Sequence, residues 1–317
     1  MALDLGYAGE GQNRLDDRVM VFRLGPDDDV EVAEAAERLR LRIAGLEDQF
    51  EQYPDIAISA SIGLASWRFG EGMDDALLRA AEDWLRGQGM DRAIGPISMS
   101  IWEEPGLLVK GQDHDPMIMM GHHPAAYQHW IESAGYVREK TLLTYPLDVT
   151  HGFPPLIQRI VQSGQRNDRI TVRPIDISRW DEEVETLLTI LNDAWSDNWG
   201  FVPFTDREIA YAAKKMKPIV HERLNMIAEV DGEPVAFMLT FPDMNAVLKR
   251  INGRLLPLGW LRLLRWLKKP TGADMRVPLM GVRRELQNSR MASQLAFMMI
   301  ERIRQNATRD FKSVRGE

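Results

Sequence analysis

The sequence contains no cysteine among its 317 residues. This absence excludes disulfide bonds, thiolate zinc sites and cysteine nucleophiles, and it fits a cytoplasmic protein. The sequence also has no excess of basic residues. It contains 39 Lys and Arg and 47 Asp and Glu, which gives a formal net charge of -8. The acidic balance argues against a general nucleic-acid binder, so no nucleic-acid partner is expected.

Long hydrophobic runs are lacking as well. No stretch of about 18 uncharged apolar residues occurs, so we expect no membrane-spanning helix. The first residues lack the basic and apolar regions of a secretory signal, and residues 1–18 are interpreted as a flexible tail. With 44% hydrophobic residues, the chain has the length and composition for two domains with buried cores.

Helix and strand signals alternate along the first half of the chain. Apolar periodicity predicts three helices, at 29–50, 74–87 and 124–134. Alternation predicts three strands, at 55–67, 92–100 and 137–149. We assign residues 19–150 to an N-terminal domain. The polar stretch 151–168, which contains His-Gly-Phe-Pro-Pro, is interpreted as a linker.

The pattern restarts in residues 169–317, which we assign to a C-terminal domain. The predicted strands are 170–177, 226–230, 234–241 and 276–282. The predicted helices are 181–195, 205–220 and 291–305. The second and third of these strands are joined by Asp231-Gly232, a strong hairpin signal. The fold class is therefore α/β, with mixed sheets flanked by helices.

One short segment carries most of the basic character. Residues 244–273 contain seven Lys and Arg and no Asp or Glu, so the rest of the chain has a net charge of -15. Residues 255–269 have a helical pattern in which apolar and basic residues separate, which is typical of helices that lie on membrane surfaces. The alternative is a packed insertion with a solvated basic face. The predicted membrane contacts are Trp260, Arg262, Arg265, Trp266 and Lys269.

Several separated motifs resemble one family. They are EPGLL at 104–108, MMGH at 119–122, NDAW at 192–195 and NWGFVPFT at 198–205, supported by AAEDWLR at 80–86 and ESAGY at 132–136. In this order they resemble the tandem-domain, GNAT-like acyl-CoA N-acyltransferases, a group that includes bacterial ceramide synthases. The resemblance covers residues 55–317. It implies two GNAT-like domains, of which the first is degenerate and the second is incomplete at its C-terminal end.

The resemblance also implies where an acyl-CoA or acetyl-CoA co-substrate binds. In the family, the pantetheine arm lies along a splayed strand, here ending near Val282, and the pyrophosphate binds the loop and helix that follow. The loop usually reads Gln/Arg-x-x-Gly-x-Gly/Ala. Gln287 and Ala292 match this pattern, whereas Arg290 replaces a glycine and could supply positive charge instead.

N-acylation needs a base that deprotonates the amine. Glu104, beside a strand end, and His122 are the candidates. An acidic surface loop and a structural histidine are the alternatives. Tyr145 is the candidate acid that reprotonates the leaving thiolate, by analogy with many GNAT enzymes, although a packed tyrosine fits equally well. The histidines lack metal-ligand spacing, so no metal is expected.

Asn192, Asn198 and Trp199 are the substrate-binding candidates, at the end of a predicted helix and in its loop. For Asn198 and Trp199, a role in the turn is the alternative, and Trp195 is expected in the core. The predicted function is acyl-CoA-dependent N-acylation of a sphingoid-type or other lipid amine, in a cytoplasmic protein that associates peripherally with an anionic membrane. The alternatives are a non-catalytic acyl-CoA or lipid binder, or N-acylation of an amino acid or peptide amine.

Overall fold

A computed structural model describes residues 17–24, 73–98, 104–148, 151–201, 203–204, 209–210, 213–214, 216–311 and 315–316. The predicted elements at 29–50 and 55–67, and Thr205 at the start of the predicted helix 205–220, lie outside these residues. The described residues divide into two compact units, 17–145 and 146–316. The structure confirms a mixed α/β architecture.

The N-terminal unit is built around strand β1 (Asp17–Leu24). The other elements are helix α1 (Met73–Gly87), strands β2 (Ala93–Gly95), β3 (Ile97–Ser98), β4 (Glu104–Pro105) and β5 (Leu107–Lys110), helix α2 (Ala126–Ser133) and strand β6 (Val137–Thr144). β1 pairs antiparallel with β2, β5 and β6. Leu78 of α1 packs with Leu107 of β5, Tyr127 and Tyr136 in a small core.

Three predictions for this unit need correction. Residues 17 and 18 belong to β1 rather than to a tail, and β1 itself was not expected. The predicted strand 92–100 is two short strands. Glu104 lies in β4, where it pairs with Ser98, and not in a loop.

The C-terminal unit contains a six-stranded sheet with helices on both faces. Its elements are strand β7 (Leu147–Asp148), helix α3 (Pro155–Gln165), strand β8 (Ile170–Pro174), helix α4 (Trp180–Trp195), strands β9 (Met226–Val230) and β10 (Glu233–Pro242), helices α5 (Asn245–Arg250) and α6 (Gly259–Lys268), strand β11 (Met275–Val282), helix α7 (Arg290–Asn306) and strand β12 (Arg315–Gly316). The strand order is β7-β12-β11-β10-β9-β8. β11 and β12 are parallel, and the other neighbours are antiparallel.

Burial on both faces explains why β10 is an almost continuous apolar run. Met226, Ala228 and Met238 pack with α7 in one core. On the opposite face, Gly281 of β11 leaves no room for a side chain, because a Cβ there would meet the Phe237 ring and Ala194 of α4. α4 and α7 thus hold the sheet between them.

The segment predicted as a linker contains α3, which packs on α7. Gly164 of α3 lies where a side chain would collide with the Met298 sulfur of α7. Gly164 therefore permits close packing of these two helices. Unlike the predicted boundaries, the division between units precedes Pro146, so α3 is part of the C-terminal unit.

Candidate functional site

The four predicted cofactor-binding residues lie on one strand, loop and helix. Val282 ends β11, opposite Ala236 of β10. A short 3-10 turn, Arg284–Leu286, follows, and α7 begins at Arg290. The structure therefore places Val282, Gln287, Arg290 and Ala292 on one continuous strand end, loop and helix start.

Gln287 braces this loop. Its half-buried side-chain amide donates hydrogen bonds of 2.9 Å to the backbone carbonyls of both Ala194 and Val282. One amide thus joins the end of α4 to the end of β11. Because both bonds are internal, the side chain determines the position of the loop.

The beginning of α7 is capped from within the chain. The Ser289 hydroxyl accepts a hydrogen bond from the Ala292 N–H at 3.2 Å, as a helix N-cap does. The other N–H groups of a first turn and the helix dipole favour an anion. Arg290 adds an exposed guanidinium, whose Nη2 lies 3.3 Å from the Ser163 hydroxyl of α3.

A second set of contacts ties the loop to the region after α4. The Asp193 carboxylate accepts a hydrogen bond of 2.8 Å from the Arg284 N–H, and the Arg284 guanidinium pairs with Asp197 at 2.6 Å and with the Ser196 hydroxyl at 3.1 Å. These residues were not predicted. The residues in contact lie about 90 positions apart in sequence, so local patterns do not pair them. The only local signal was the charged Asp193 inside the NDAW motif.

Trp195 is anchored rather than exposed to solvent. Its indole N–H donates to the Met280 carbonyl of β11 at 2.9 Å. The motif around Trp195 therefore contacts the strand along which the family resemblance places pantetheine. Its half-buried position agrees with the expected packing role.

The substrate-binding candidates lie next to this anchor. The Asn192 side-chain oxygen accepts a hydrogen bond of 3.3 Å from the Phe204 N–H. The backbone of Asn198 bonds to the Trp195 carbonyl at 2.8 Å and accepts from the Phe201 N–H at 3.1 Å, in a turn. Trp199 is half-buried. Asn192 and Asn198 thus shape the segment that follows α4.

The three catalytic candidates are all in the N-terminal unit. Glu104 is in β4, and His122 is exposed, with Nε2 3.1 Å from the Gln112 carbonyl. Tyr145 follows β6 and is 69% exposed. The described contacts do not bring His122 and Tyr145 together.

A half-buried acid that the sequence patterns did not single out, Glu82, lies in the same unit. Burial raises the pKa of Glu82 on α1, and a hydrogen bond from Tyr136 opposes this rise. The pKa of Tyr136 is raised by burial and by the Glu82 charge. The two residues belong to the AAEDWLR and ESAGY motifs, so the fold joins two segments that carried the family resemblance.

The basic segment predicted to contact membranes contains α6. Trp260 is 43% exposed, and Arg262, Arg265 and Lys269 are exposed. Trp266, by contrast, is half-buried. No helix among the described residues is long and apolar enough to cross a membrane. In the same part of the chain, no group of three or more His, Asp or Glu residues could hold a metal ion.

Comparison with known proteins gives two close sequence relatives, and no family model matches the chain. A "Bacterial ceramide synthase" of Caulobacter vibrioides is 39% identical over 267 residues, which are 84% of this chain and 69% of the relative. "Protein YghO" of Escherichia coli is 39% identical over 231 residues, 72% of this chain and 58% of the relative.

Solved structures match more weakly. The C-terminal DUF2156 domain of an Agrobacterium fabrum protein is 11% identical, with a TM-score of 0.33 over 54% of this chain and 44% of the domain. A polyamine N-acetyltransferase of Drosophila melanogaster is 14% identical, with a TM-score of 0.25 over 44% of this chain and 70% of the enzyme.

Proposed function

The chain belongs to the family of the Caulobacter vibrioides bacterial ceramide synthase, and from this premise we propose that it is an acyl-CoA-dependent N-acyltransferase. We further propose that it transfers a long acyl chain to a sphingoid-type amine. The name of the relative supports this acceptor class. A lipid acceptor also implies work at a membrane surface, in our proposal as a peripheral protein on the inner face of the cytoplasmic membrane.

The observation that carries the proposal is the arrangement of β11, its loop and the start of α7. A strand end is followed by a braced loop and by a helix N-terminus with an exposed arginine. Pyrophosphate is an anion, and such a terminus with an adjacent guanidinium is suited to it. In this proposal Arg290 binds phosphate oxygen, and Gln287 holds the loop that presents it.

The hydrogen bond between Ser289 and Ala292 limits which N–H groups of α7 a phosphate could use. The Ala292 N–H is engaged by the Ser289 hydroxyl, so a phosphate would compete with the cap for that donor. The two earlier N–H groups of α7, at Arg290 and Met291, do not depend on it. Phosphate binding through these two groups and the Arg290 side chain is therefore compatible with the observed cap.

The proposed reaction forms an amide bond and breaks a thioester bond. The neutral amine attacks the thioester carbonyl carbon, a base accepts the amine proton, and the thiolate leaves with a proton from an acid. Backbone N–H groups of β11 would stabilise the developing oxyanion. Glu104 or His122 is the proposed base, and Tyr145 is the proposed acid.

A non-catalytic acyl-CoA binder is the second candidate. The observation in its favour is Arg290, which replaces a glycine of the family loop. A cationic side chain there would strengthen phosphate binding without contributing to bond making. Turnover distinguishes the two candidates, because both predict that acyl-CoA binds.

The test is release of free CoA thiol from palmitoyl-CoA in the presence of sphinganine, with product identification by mass spectrometry. We expect N-palmitoyl sphinganine from the wild type, and a KM for palmitoyl-CoA raised at least tenfold in Arg290→Ala, since one charge-assisted bond contributes about 1.5–3 kcal/mol. Arg302→Ala, an exposed arginine further along α7, is the control. Tight palmitoyl-CoA binding without product would favour the binder, and product only with amino acid or peptide amines would replace the acceptor.

A further inference from the structure

The insertion between β10 and β11 exposes an unusual amount of apolar surface. It contains α5, a loop and α6. The exposed fractions are 80% for Leu256, 62% for Leu258, 49% for Leu264, 43% for Trp260 and 40% for Leu261. In a water-soluble domain such neighbouring exposed apolar side chains indicate a contact surface.

These side chains lie on the outer side of the insertion. On the inner side, Leu263, Trp266 and Leu267 are half-buried, and the backbone of Leu267 is hydrogen-bonded to His221. The insertion is thus attached to the domain through one face of α6. The exposed leucines are therefore not required to hold α6 in place.

Basic residues lie beside the apolar ones. Arg262, Arg265, Lys268 and Lys269 are exposed on α6 and directly after it. Residues 244–273 carry seven positive charges and no negative charge, within a protein of net charge -8. The surface therefore combines side chains that enter hydrocarbon with side chains that bind anions.

We propose that the outer surface of this insertion docks on an anionic lipid bilayer. Leu256, Leu258, Trp260, Leu261 and Leu264 insert at the level of the headgroups, and the basic residues of α6 contact lipid phosphates. α6 has 10 residues, about 15 Å, half of what a bilayer core requires, so it lies in the interface plane. We call this set of residues the docking surface.

Charge decides between a bilayer and a second copy of the chain. A symmetric contact between two docking surfaces would bring Arg262, Arg265 and Lys268 of one copy against the same three residues of the other, at a high electrostatic cost. An anionic bilayer supplies the opposite charge and hydrocarbon together. The basic residues of the docking surface are complementary to the anionic headgroups, and its apolar residues are complementary to the hydrocarbon.

The position of the insertion explains what membrane docking would achieve. This explanation rests on the proposed function. The insertion precedes Met275 at the start of β11, whereas the proposed pyrophosphate loop follows Val282 at its end. The seven steps along the strand from Met275 to Val282 correspond to about 23 Å. Acyl-CoA bound along β11 would extend from the phosphate-binding loop toward the end of the strand that adjoins the membrane.

The test is flotation of the full chain with vesicles of phosphatidylglycerol and phosphatidylcholine, 3:7, at two salt concentrations. Leu256→Ser with Leu258→Ser and Leu264→Ser removes apolar contacts at exposed positions, and Arg262→Gln with Arg265→Gln and Lys268→Gln removes charge. Leu156→Ser, an exposed leucine of α3, and Arg159→Gln with Arg166→Gln and Arg302→Gln are matched controls. We expect each docking-surface variant to bind at least tenfold more weakly, since one basic residue near an anionic surface contributes about fivefold.

Two outcomes would overturn the proposal. They are no flotation of the wild type and unchanged flotation of the leucine variant. The second would show that the basic residues alone attract the chain to anionic lipid and that the exposed leucines do not insert. Quenching of Trp260 by brominated lipid, absent in Trp260→Phe, is a second measurement that does not depend on comparing affinities.

The proposed function is tested separately, by thiol release from palmitoyl-CoA with sphinganine dispersed in detergent, without vesicles. Flotation without turnover would leave docking supported and remove the enzyme proposal. Turnover without flotation would do the reverse.

Discussion

The indole N–H of Trp195 donates a hydrogen bond to the backbone carbonyl of Met280, at 2.9 Å. The bond joins the last residue of α4 to β11, two residues before the strand ends. The bond aligns the strand of the proposed acyl-CoA site with the NDAW motif. It also gives the Met280 carbonyl a hydrogen-bond donor, which a buried carbonyl needs.

Trp195→Phe removes this bond and keeps an aromatic ring. We expect a loss of about 1 kcal/mol in the free energy of unfolding. Because the bond positions β11, we also expect the KM for acyl-CoA to rise about fivefold with kcat almost unchanged. Steady-state kinetics and urea unfolding measure the two effects.

Trp180→Phe is the control, since the Trp180 indole N–H also donates to a backbone carbonyl, that of Ala213, at 3.1 Å. It lies at the other end of α4. We expect a similar loss of stability and no change in KM. An equal change of KM in both variants would show that Trp195 acts only through general stability.

Gln287→Ala should affect the loop more strongly, because two carbonyls lose their donor. The free energy of unfolding should fall by about 1–3 kcal/mol, and the affinity for CoA, measured by calorimetry, should fall about tenfold. Gln305→Ala, which removes an exposed bond to Glu301 on α7, should leave CoA affinity unchanged. Unaltered CoA affinity in Gln287→Ala would mean that the loop does not bind the pyrophosphate.

Arg173 holds two carboxylates beside the sheet. It lies 2.6 Å from Glu229 and 2.9 Å from Glu183, which is only 3% exposed. Arg173→Met leaves Glu183 with Arg179 alone. We expect a loss of about 3 kcal/mol in stability, because the buried Glu183 carboxylate then loses one of its two arginine partners.

Adding Glu183→Met to Arg173→Met should restore most of this stability, since the buried charge is then gone. Arg169→Met, which breaks an exposed pair with Asp231, should have little effect. A full loss in the double variant would point to packing rather than charge as the role of Arg173.

Local signals predicted many elements of the C-terminal unit. The hairpin predicted at 226–230 and 234–241 is confirmed as β9 and β10, and Asp231 and Gly232 have φ of 54° and 86°. Positive φ at both positions is what an Asp-Gly hairpin turn requires. The helix predicted at 291–305 is confirmed as α7, Arg290–Asn306.

The missed features depend on contacts between distant residues. The helix α3 lies in the polar stretch 151–168, which was interpreted as a linker, because the close packing of Gly164 against Met298 of α7 cannot be read from the local sequence. At the candidate site, the pattern predicted the strand, loop and helix, but the bonds of Gln287 and Arg284 to the end of α4 could not be read from spacing. Likewise, the periodicity of 255–269 predicted a helix, whereas the half-buried position of Trp266 depends on the domain that α6 packs against.

His221 contacts α6 and is also a titratable group, so the packing of α6 is connected to pH. Its ring lies 5.4 Å from the Phe311 ring, and it is hydrogen-bonded to the Leu267 backbone near the end of α6. Burial lowers the pKa of His221 below its usual value near 6.5, and the bond to Leu267 opposes this only in part. The folded protein therefore holds His221 neutral at pH values where the unfolded chain begins to protonate it.

Stability from this site is fully present above the unfolded pKa and is lost as pH falls from about 6.5 through the lower folded pKa, because the unfolded chain binds the extra proton. We expect the wild type to lose free energy of unfolding relative to His221→Gln between pH 7.5 and pH 5, measured by urea titration at each pH. His221→Phe, which also cannot titrate, should show the same flat profile with a different offset. Parallel profiles for the wild type and both variants would assign the acid sensitivity to other groups, and they would show that protonation of His221 does not loosen the attachment of α6.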